Sequence, residues 1–305
     1  MAHTHNDHHH HHSIEPQKAN TAFIVGIALN FLFVLVEAFT GFYIHSLSLL
    51  SDAGHNLADV VSLSLSLLAF RLMKVQSNEN YTYGYRKTSI LVALFNGMVL
   101  MVSIGAIMYE AIQRLSNPQP LPGTTIAWVA GIGIIINGVT ALMFMRDRKK
   151  DLNIKSAYLH LLSDALVSLA LVIGGIIIQF TNWFWIDPAL SIIVALTILF
   201  GTWNLLKESL RLSLDGVPAD LNLQEVKKVA ATVKGLQEIH HIHLWAMSTT
   251  ENALTAHIVI DAKASMDEVE KIKHQFKHSL EHMNIQHVTL EIESSDKNCE
   301  SVNKV

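Results

Sequence analysis

Over its first two-thirds the chain holds six long apolar runs rather than an alternation of apolar and polar positions. They fall at 21–43, 47–73, 90–112, 124–145, 156–180 and 186–206, and each is long enough to cross a bilayer as a helix, for which roughly 20 residues suffice. A polar stripe interrupts two of them. Ser48, Asp52, His55, Asp59, Ser62 and Ser66 recur three or four residues apart, so a helix sets them along one face. Ser156, His160, Asp164 and Ser168 recur every fourth residue in the fifth run. After residue 206 the pattern becomes that of a soluble domain. A helix is predicted over 222–233, with Asp220 or Asn222 as its cap, and strands over 238–247 and 253–261. An amphipathic helix follows over 266–282 and a third strand over 285–292, by period and by β-branched content. The order α-β-β-α-β suits an α+β domain with helices on one face of a sheet.

The chain thus divides into a histidine-rich arm (1–20), a six-transmembrane-helix bundle (21–206), an α+β domain (207–294) and a polar tail (295–305). Composition agrees with a membrane protein: half the residues are hydrophobic and only 16% are charged. A net charge of −4 gives no reason to expect nucleic acid as a partner. The single cysteine, Cys299, rules out an internal disulfide framework and a cysteine-rich zinc ribbon. Seven of the 18 histidines lie in the first twelve residues, as a metal-binding arm or, in part, a purification tag. No basic segment with a short core and cleavage site precedes the first run, so no secretory signal peptide is expected.

Charge orients the runs. Arg71, Lys74, Arg86 and Lys87 lie between the second and third runs. Arg146, Arg148, Lys149, Lys150 and Lys155 lie between the fourth and fifth, and the first-to-second and fifth-to-sixth connections carry neither lysine nor arginine. By the positive-inside rule both termini face the cytoplasm.

Ionisable residues inside apolar helices carry the chemistry. An aspartate at mid-bilayer costs about 3 kcal/mol, and two cost about 6. Serines at Ser48, Ser62, Ser66 and Ser168 are read as hydrogen-bonded packing. His55 and Asp59, one turn apart, and His160 and Asp164, one turn apart, are read instead as an ion site shared by two touching helices. Two neutral imidazoles and two carboxylates suit tetrahedral zinc. Calcium and magnesium want more oxygens, and copper(I) wants sulfur. Met98, Met101, Met108, Met143 and Met145 are scattered and read as packing. Asp52 serves equally as a residue at the mouth of the path or as an interfacial group and stays outside the ligand set. Because metal needs deprotonated ligands, protons compete with it. Zinc–proton exchange by alternating access follows, and a Val-Ser-Leu after each His-x-x-x-Asp, at 61–63 and 167–169, echoes the two halves.

At these residues the chain resembles the cation diffusion facilitator family of zinc transporters. SLSLLSDAGHNLADVVSLSLSLLA is similar to that family's second span and SAYLHLLSDALVSLALVIGG to its fifth. The resemblance implies a homodimer, a ferredoxin-like, metallochaperone-like cytoplasmic domain and proton-driven export of zinc from the cytosol. It carries His55, Asp59, His160 and Asp164 onto the transport site, with cadmium or cobalt as further substrates. IHHIHLW, LTAHIVI and VTLEIES resemble the cytoplasmic segments that bind regulatory zinc, which implies His240, His257 and Glu293 as ligands and His241, His243, Glu291 and Cys299 as weaker candidates. His274, His278 and His282 recur on one helix face and are read as solvated. One departure stands out. Where many relatives read aromatic-Gly-x-His-Arg, this chain reads YGYRKTS, so Arg86 replaces a common histidine and Ser89 a common acid, and no loop metal site is expected. By position, Lys87 and Asp215 are expected to form a charge interlock at the dimer's cytoplasmic neck. The short basic loop between the fourth and fifth runs lacks the histidine-rich insert of many eukaryotic relatives, which implies a bacterial plasma membrane.

Two other readings compete. An intramembrane metalloenzyme needs a general base and an open coordination position, but no H-E-x-x-H occurs and four ligands leave no vacancy. A membrane-anchored zinc sensor needs no costly ionisable pairs at mid-depth. Transport without catalysis is the reading the residues favour.

Overall fold

The computed structural model describes residues 16–43, 47–116, 124–181, 183 and 185–296. Six long helices come first: α1 (Pro16–Tyr43), α2 (Leu47–Leu72), α3 (Thr88–Ser116), α4 (Thr124–Met145), α5 (Leu152–Thr181) and α6 (Ile186–Ser213). The α/β part follows as α7 (Leu223–Thr232), β1 (Leu236–Ala246), β2 (Asn252–Ile260), α8 (Met266–Glu281) and β3 (Ile285–Ser294). Cys299, the first fifteen residues and most of the polar tail lie outside the described residues.

The six helices form one bundle, in which α1 lies along α2, α3 along α6 and α4 along α5, while α2 also reaches α5. Among the described residues, three helical stretches are by themselves long and apolar enough to cross a membrane: Thr21–Thr40, Thr88–Ser116 and Pro188–Ser213. Gly131–Met145 is a shorter apolar stretch, and α2 and α5 are the helices diluted by the polar stripes. Large apolar side chains face outward. Phe39, Val102, Phe180 and Phe200 are each more than 70% exposed, a surface that water would oppose and lipid accepts. Trp183 and Trp185 stack between α5 and α6 with centroids 6.2 Å apart, as an aromatic pair at a membrane interface does.

Inside, Phe23 of α1 meets Phe70 of α2 and Phe144 of α4 at centroid distances of 5.5 and 4.8 Å. This ring cluster and Leu161 of α5 form a shared core. Gly26 lets α1 approach α4: a Cβ there would stand 2.8 Å from Thr140 Cγ2, and Thr140 is held by its hydroxyl donating to the Ile136 carbonyl at 2.7 Å.

Helix limits overrun the apolar runs. α6 continues through Lys207, Glu208 and Arg211 to Ser213, because backbone bonding persists after hydropathy ends. Asp151 caps α5 by accepting from the backbone N–H groups of Asn153 and Ile154 at 2.7 and 3.0 Å, so the helix starts four residues before its apolar run. In the α/β part, Asn222 caps α7 by accepting from Gln224 N at 2.8 Å, and Ser265 and Glu268 form a capping box on α8. The sheet order is β1-β2-β3, with β1/β2 antiparallel and β2/β3 parallel across α8. Leu254, Ala256, Ile258 and Ile260 alternate into a core with Val226 of α7 and Phe276 and Leu280 of α8. The other residues of β2, Thr255, His257 and Val259, therefore lie on the opposite face. β3 runs two residues further than expected and so includes Glu293.

A prediction follows from the close helix approach. Gly26→Ala overpacks the α1–α4 contact and lowers stability by roughly 1–3 kcal/mol, read as a lower melting temperature of the detergent-solubilised protein. Gly105→Ala, where an added Cβ meets nothing within 4 Å, leaves the melting temperature unchanged or raised.

Candidate metal centres

The stripes on α2 and α5 face each other. Asp59 is 2% exposed and His160 3%, with His160 Nδ1 3.0 Å from Asp59 Oδ1. Asp164, one turn further along α5, joins them: each of Asp59, His160 and Asp164 offers a ligand atom, and the three atoms lie within 4.8 Å of one another. His55 stands on the α2 backbone one turn before Asp59, and its side chain, like those of Asp52 and Ser48, lies outside the described residues. Beside the cluster is a narrow cleft lined by Asp59, Ser62, Ser66, Asn96, Ser156 and His160. Ser66, Asn96 and Ser156 belong to the halves of α2, α3 and α5 that end nearest the α/β part, so the polar lining extends to that side of the cluster.

The serines behave mainly as packing. Ser66 Oγ donates to the Ser62 carbonyl at 3.1 Å and accepts from Asn96 Nδ2 at 2.8 Å, while the same amide lies 3.2 Å from the Ser62 carbonyl. Asn96 ties α3 to the α2 stripe and was not singled out by sequence reasoning. Its signal is slight, a lone amide in an apolar run. A second buried pair lies on the other half of α2, where Asn56 Nδ2 donates to Glu37 Oε2 of α1 at 2.7 Å and Glu37 is fully buried. This contact offsets the burial of the one carboxylate in α1.

A second cluster occupies the helix-free face of the sheet. His240 and His257 are cross-strand partners in β1 and β2, and His257 is paired in register with Glu291 of β3. Glu293 Oε1 stands 2.6 Å from His257 Nδ1 and Glu293 Oε2 3.2 Å from His240 Nε2. Ligand atoms of His240, His257 and Glu293 all lie within 4.8 Å of one another. Two imidazoles and a carboxylate at that separation make a donor set that zinc accepts. Glu291 is at the rim, its Oε2 3.3 Å from His257 Nε2. His241 adopts a left-handed φ of 47° at an irregularity of β1, and its ring centroid lies 5.0 Å from that of His257. Desolvation, then the neighbouring imidazoles of His257 and His240, lowers the His241 pKa below the usual histidine value. His243 is exposed. On α8, His274, His278 and His282 are all exposed, opposite the buried Ile272, Phe276 and Leu280, in line with a solvated face.

At the junction of the two parts, Arg86 pairs with Glu251 and stands 2.8 Å from His287 Nε2. The departure from the family loop pattern thus coincides with a protein cation bridging to the α/β part. Lys87 and Asp215, expected to interlock at the dimer's cytoplasmic neck, pair with each other within one chain.

Comparison with known proteins assigns both parts. Residues 23–212 match the cation efflux transmembrane domain, and residues 218–295 match the cytoplasmic domain of cation efflux proteins. The chain is 38% identical over 268 residues to the "cadmium, cobalt and zinc/H(+)-K(+) antiporter" of Bacillus subtilis strain 168, covering 87% of this chain and 86% of that one. It is 36% identical over 269 residues to the metal cation efflux system protein CzcD of Cupriavidus metallidurans, covering 88% and 85%. With the zinc transporter ZitB of Escherichia coli K12 it shares 32% identity over 299 residues, covering 96% and 93%. Six long helices, an outward apolar surface and a three-stranded α/β domain on one end agree with these matches. The chain is a membrane protein of the cation efflux, or cation diffusion facilitator, family, whose members transport metal cations rather than catalyse reactions.

Proposed function

We propose that this protein exports zinc from the cytosol in exchange for protons, through a site made by His55, Asp59, His160 and Asp164 between α2 and α5. The observation that carries this reading is the convergence of Asp59, His160 and Asp164 from two polar stripes a hundred residues apart. His55, one turn from Asp59, completes a set of two imidazoles and two carboxylates, which suits a tetrahedral divalent ion. Relatives named for zinc, cadmium and cobalt support zinc as substrate and leave room for the other two.

The exchange follows from ligand chemistry. Zinc binds neutral imidazole and ionised carboxylate, so loading releases protons and protonation releases zinc. A site that opens first to one side and then to the other exports zinc and imports protons along the proton gradient. Domain limits at 21–206 for transport and 207–294 for the cytoplasmic part belong to the same reading, with a bacterial plasma membrane and cytoplasmic termini supported by the basic loops and the bacterial relatives. A homodimer is supported by the match to a domain class named for dimerisation. His240, His257 and Glu293 hold regulatory zinc in the cytoplasmic domain, where their donor atoms already converge.

Three outcomes are expected. In proteoliposomes with an imposed proton gradient, Asp59→Ala and His160→Ala each abolish zinc uptake, and uptake by either variant at the wild-type rate overturns the transport site. Zinc added to purified wild-type protein acidifies a weakly buffered solution, and the Asp59→Ala protein releases fewer protons per zinc. Glu293→Gln lowers zinc affinity at the cytoplasmic site by at least about 10-fold, the lower end of what losing even an outer partner of a ligand costs, in competition titrations with a zinc-sensitive dye, while His278→Ala leaves it unchanged.

A further inference from the structure

The turn between β1 and β2 is seated against the ends of the membrane helices through a closed ring of polar groups, buried except for the half-buried Thr249. The Asp151 carboxyl, 3% exposed, uses one oxygen to cap α5. Its other oxygen accepts the hydroxyl of Thr249 in the β1–β2 turn. The Thr249 N–H donates to Ser89 Oγ at 3.1 Å, and the Ser89 carbonyl accepts from Asn153 Nδ2 at 2.9 Å. Ser89 and Asn153 are fully buried and Ser248 is 1% exposed. The ring therefore runs from the turn to the start of α3, on to the first turn of α5 and back to the turn.

Apolar packing backs it. Ile90 of α3, Leu212 of α6 and Ala246 of β1 form a small core against Leu152 of α5. The Arg86–Glu251 pair, about one-third exposed on either side, flanks it, and Tyr83 meets His287 edge-on at 6.0 Å. Burial raises the pKa of Asp151 while its bonds to Thr249, Ile154 and Asn153 oppose that rise, so the Thr249 hydroxyl helps to keep an otherwise costly carboxylate in place. The exposed Lys87–Asp215 pair is of the kind that contributes little.

Both ends of this joint are stiff. Thr249 tops the hairpin whose strands pair His240 with His257. Asp151 caps the helix that carries His160 nine residues later, about 13 Å along the axis. The turn is hydrogen-bonded to the start of α5 by the Thr249 hydroxyl on Asp151, while the Thr249 N–H and Glu251 reach the start of α3. We propose that Thr249 is a positioning residue for transport: its hydroxyl, held by Asp151, fixes the first turn of α5 to the β1–β2 hairpin, so that hairpin, α3 start and α5 start move as one body. The proposal rests on the transport reading above and adds a residue to it that lies outside both metal clusters.

The test uses the full-length protein. Thr249→Val removes the hydroxyl at nearly constant shape, and Thr249→Ser keeps it. Loss of a hydrogen bond to a buried carboxylate is expected to lower the maximal rate of zinc uptake into proteoliposomes about tenfold, with the half-saturating zinc concentration within about twofold of wild type. Thr249→Ser restores the rate. In the same preparations, hydrogen exchange in residues 152–157 rises by about tenfold in Thr249→Val, while protection of the sheet core around Leu254 and Ile258 stays at the wild-type level. Wild-type uptake and exchange in Thr249→Val overturn the proposal. So does an equal defect in Thr249→Ser, and so does lost protection in the sheet core, which assigns the residue to domain folding. A wild-type protein that moves no zinc defeats the transport reading itself. That failure is distinguishable from failure of the joint, because exchange at α5 is read without transport.

Discussion

The bundle is built around the cost of placing carboxylates in a medium that cannot solvate them. Asp59 and Glu37 are nearly or fully inaccessible, and each stands beside a nitrogen-bearing partner on another helix: His160 of α5 at 3.0 Å and Asn56 of α2 at 2.7 Å. Removing one partner of a buried charge leaves the other uncompensated, at a cost that exceeds most packing terms. The constraint therefore fixes which faces of α1, α2 and α5 meet. Asn96 extends it to α3 by bonding to Ser66 and the Ser62 carbonyl. The bulk of the apolar packing, from the Phe23–Phe70–Phe144 cluster to the close approach at Gly26, is compatible with this register but less directional.

A buried polar pair that only stabilised the fold would be replaceable by apolar side chains of similar size at little loss. The transport reading proposed above accounts for three donor-bearing residues converging from two helices, with Ser62, Ser66, Asn96 and Ser156 beside them. The second cluster differs in kind. His240, His257 and Glu293 lie on the helix-free face of a sheet, partly accessible to water. The two clusters thus draw on the same donor types, imidazole and carboxylate, in different proportions, the first mostly buried and the second half-buried.

Much of this was legible in the sequence because it is periodic. A three-and-four spacing on α2 and a strict four on α5 name the faces that meet, and alternation along β2 sends His257 opposite to Leu254 and Ile258. What was not legible is aperiodic or distant. Asn96 is one amide in an apolar run and marks no face by itself. The seven residues by which α6 outlasts its apolar run follow from backbone bonding, to which hydropathy is blind. Thr249 and Asp151 are 98 residues apart, each in a segment that reads as an ordinary turn or loop, and only the tertiary fold gives the pair meaning. The Lys87–Asp215 pair was legible from position, because both residues flank helices whose ends must share one membrane face.

The loop before α3 shows how one substitution alters the physics of a junction. The resemblance places a histidine where this chain has Arg86, and a histidine offers one hydrogen-bond donor when neutral and a charge only while protonated. A guanidinium is charged at every physiological pH and offers five donors in a planar fork. Arg86 uses that geometry to meet Glu251 and His287, which flank the polar ring of Ser89, Asp151, Asn153 and Thr249. The junction is thereby closed by hydrogen bonds and an ion pair between groups the protein itself supplies. The β1–β2 hairpin, whose strands carry His240 and His257, thereby meets the starts of α3 and α5 directly.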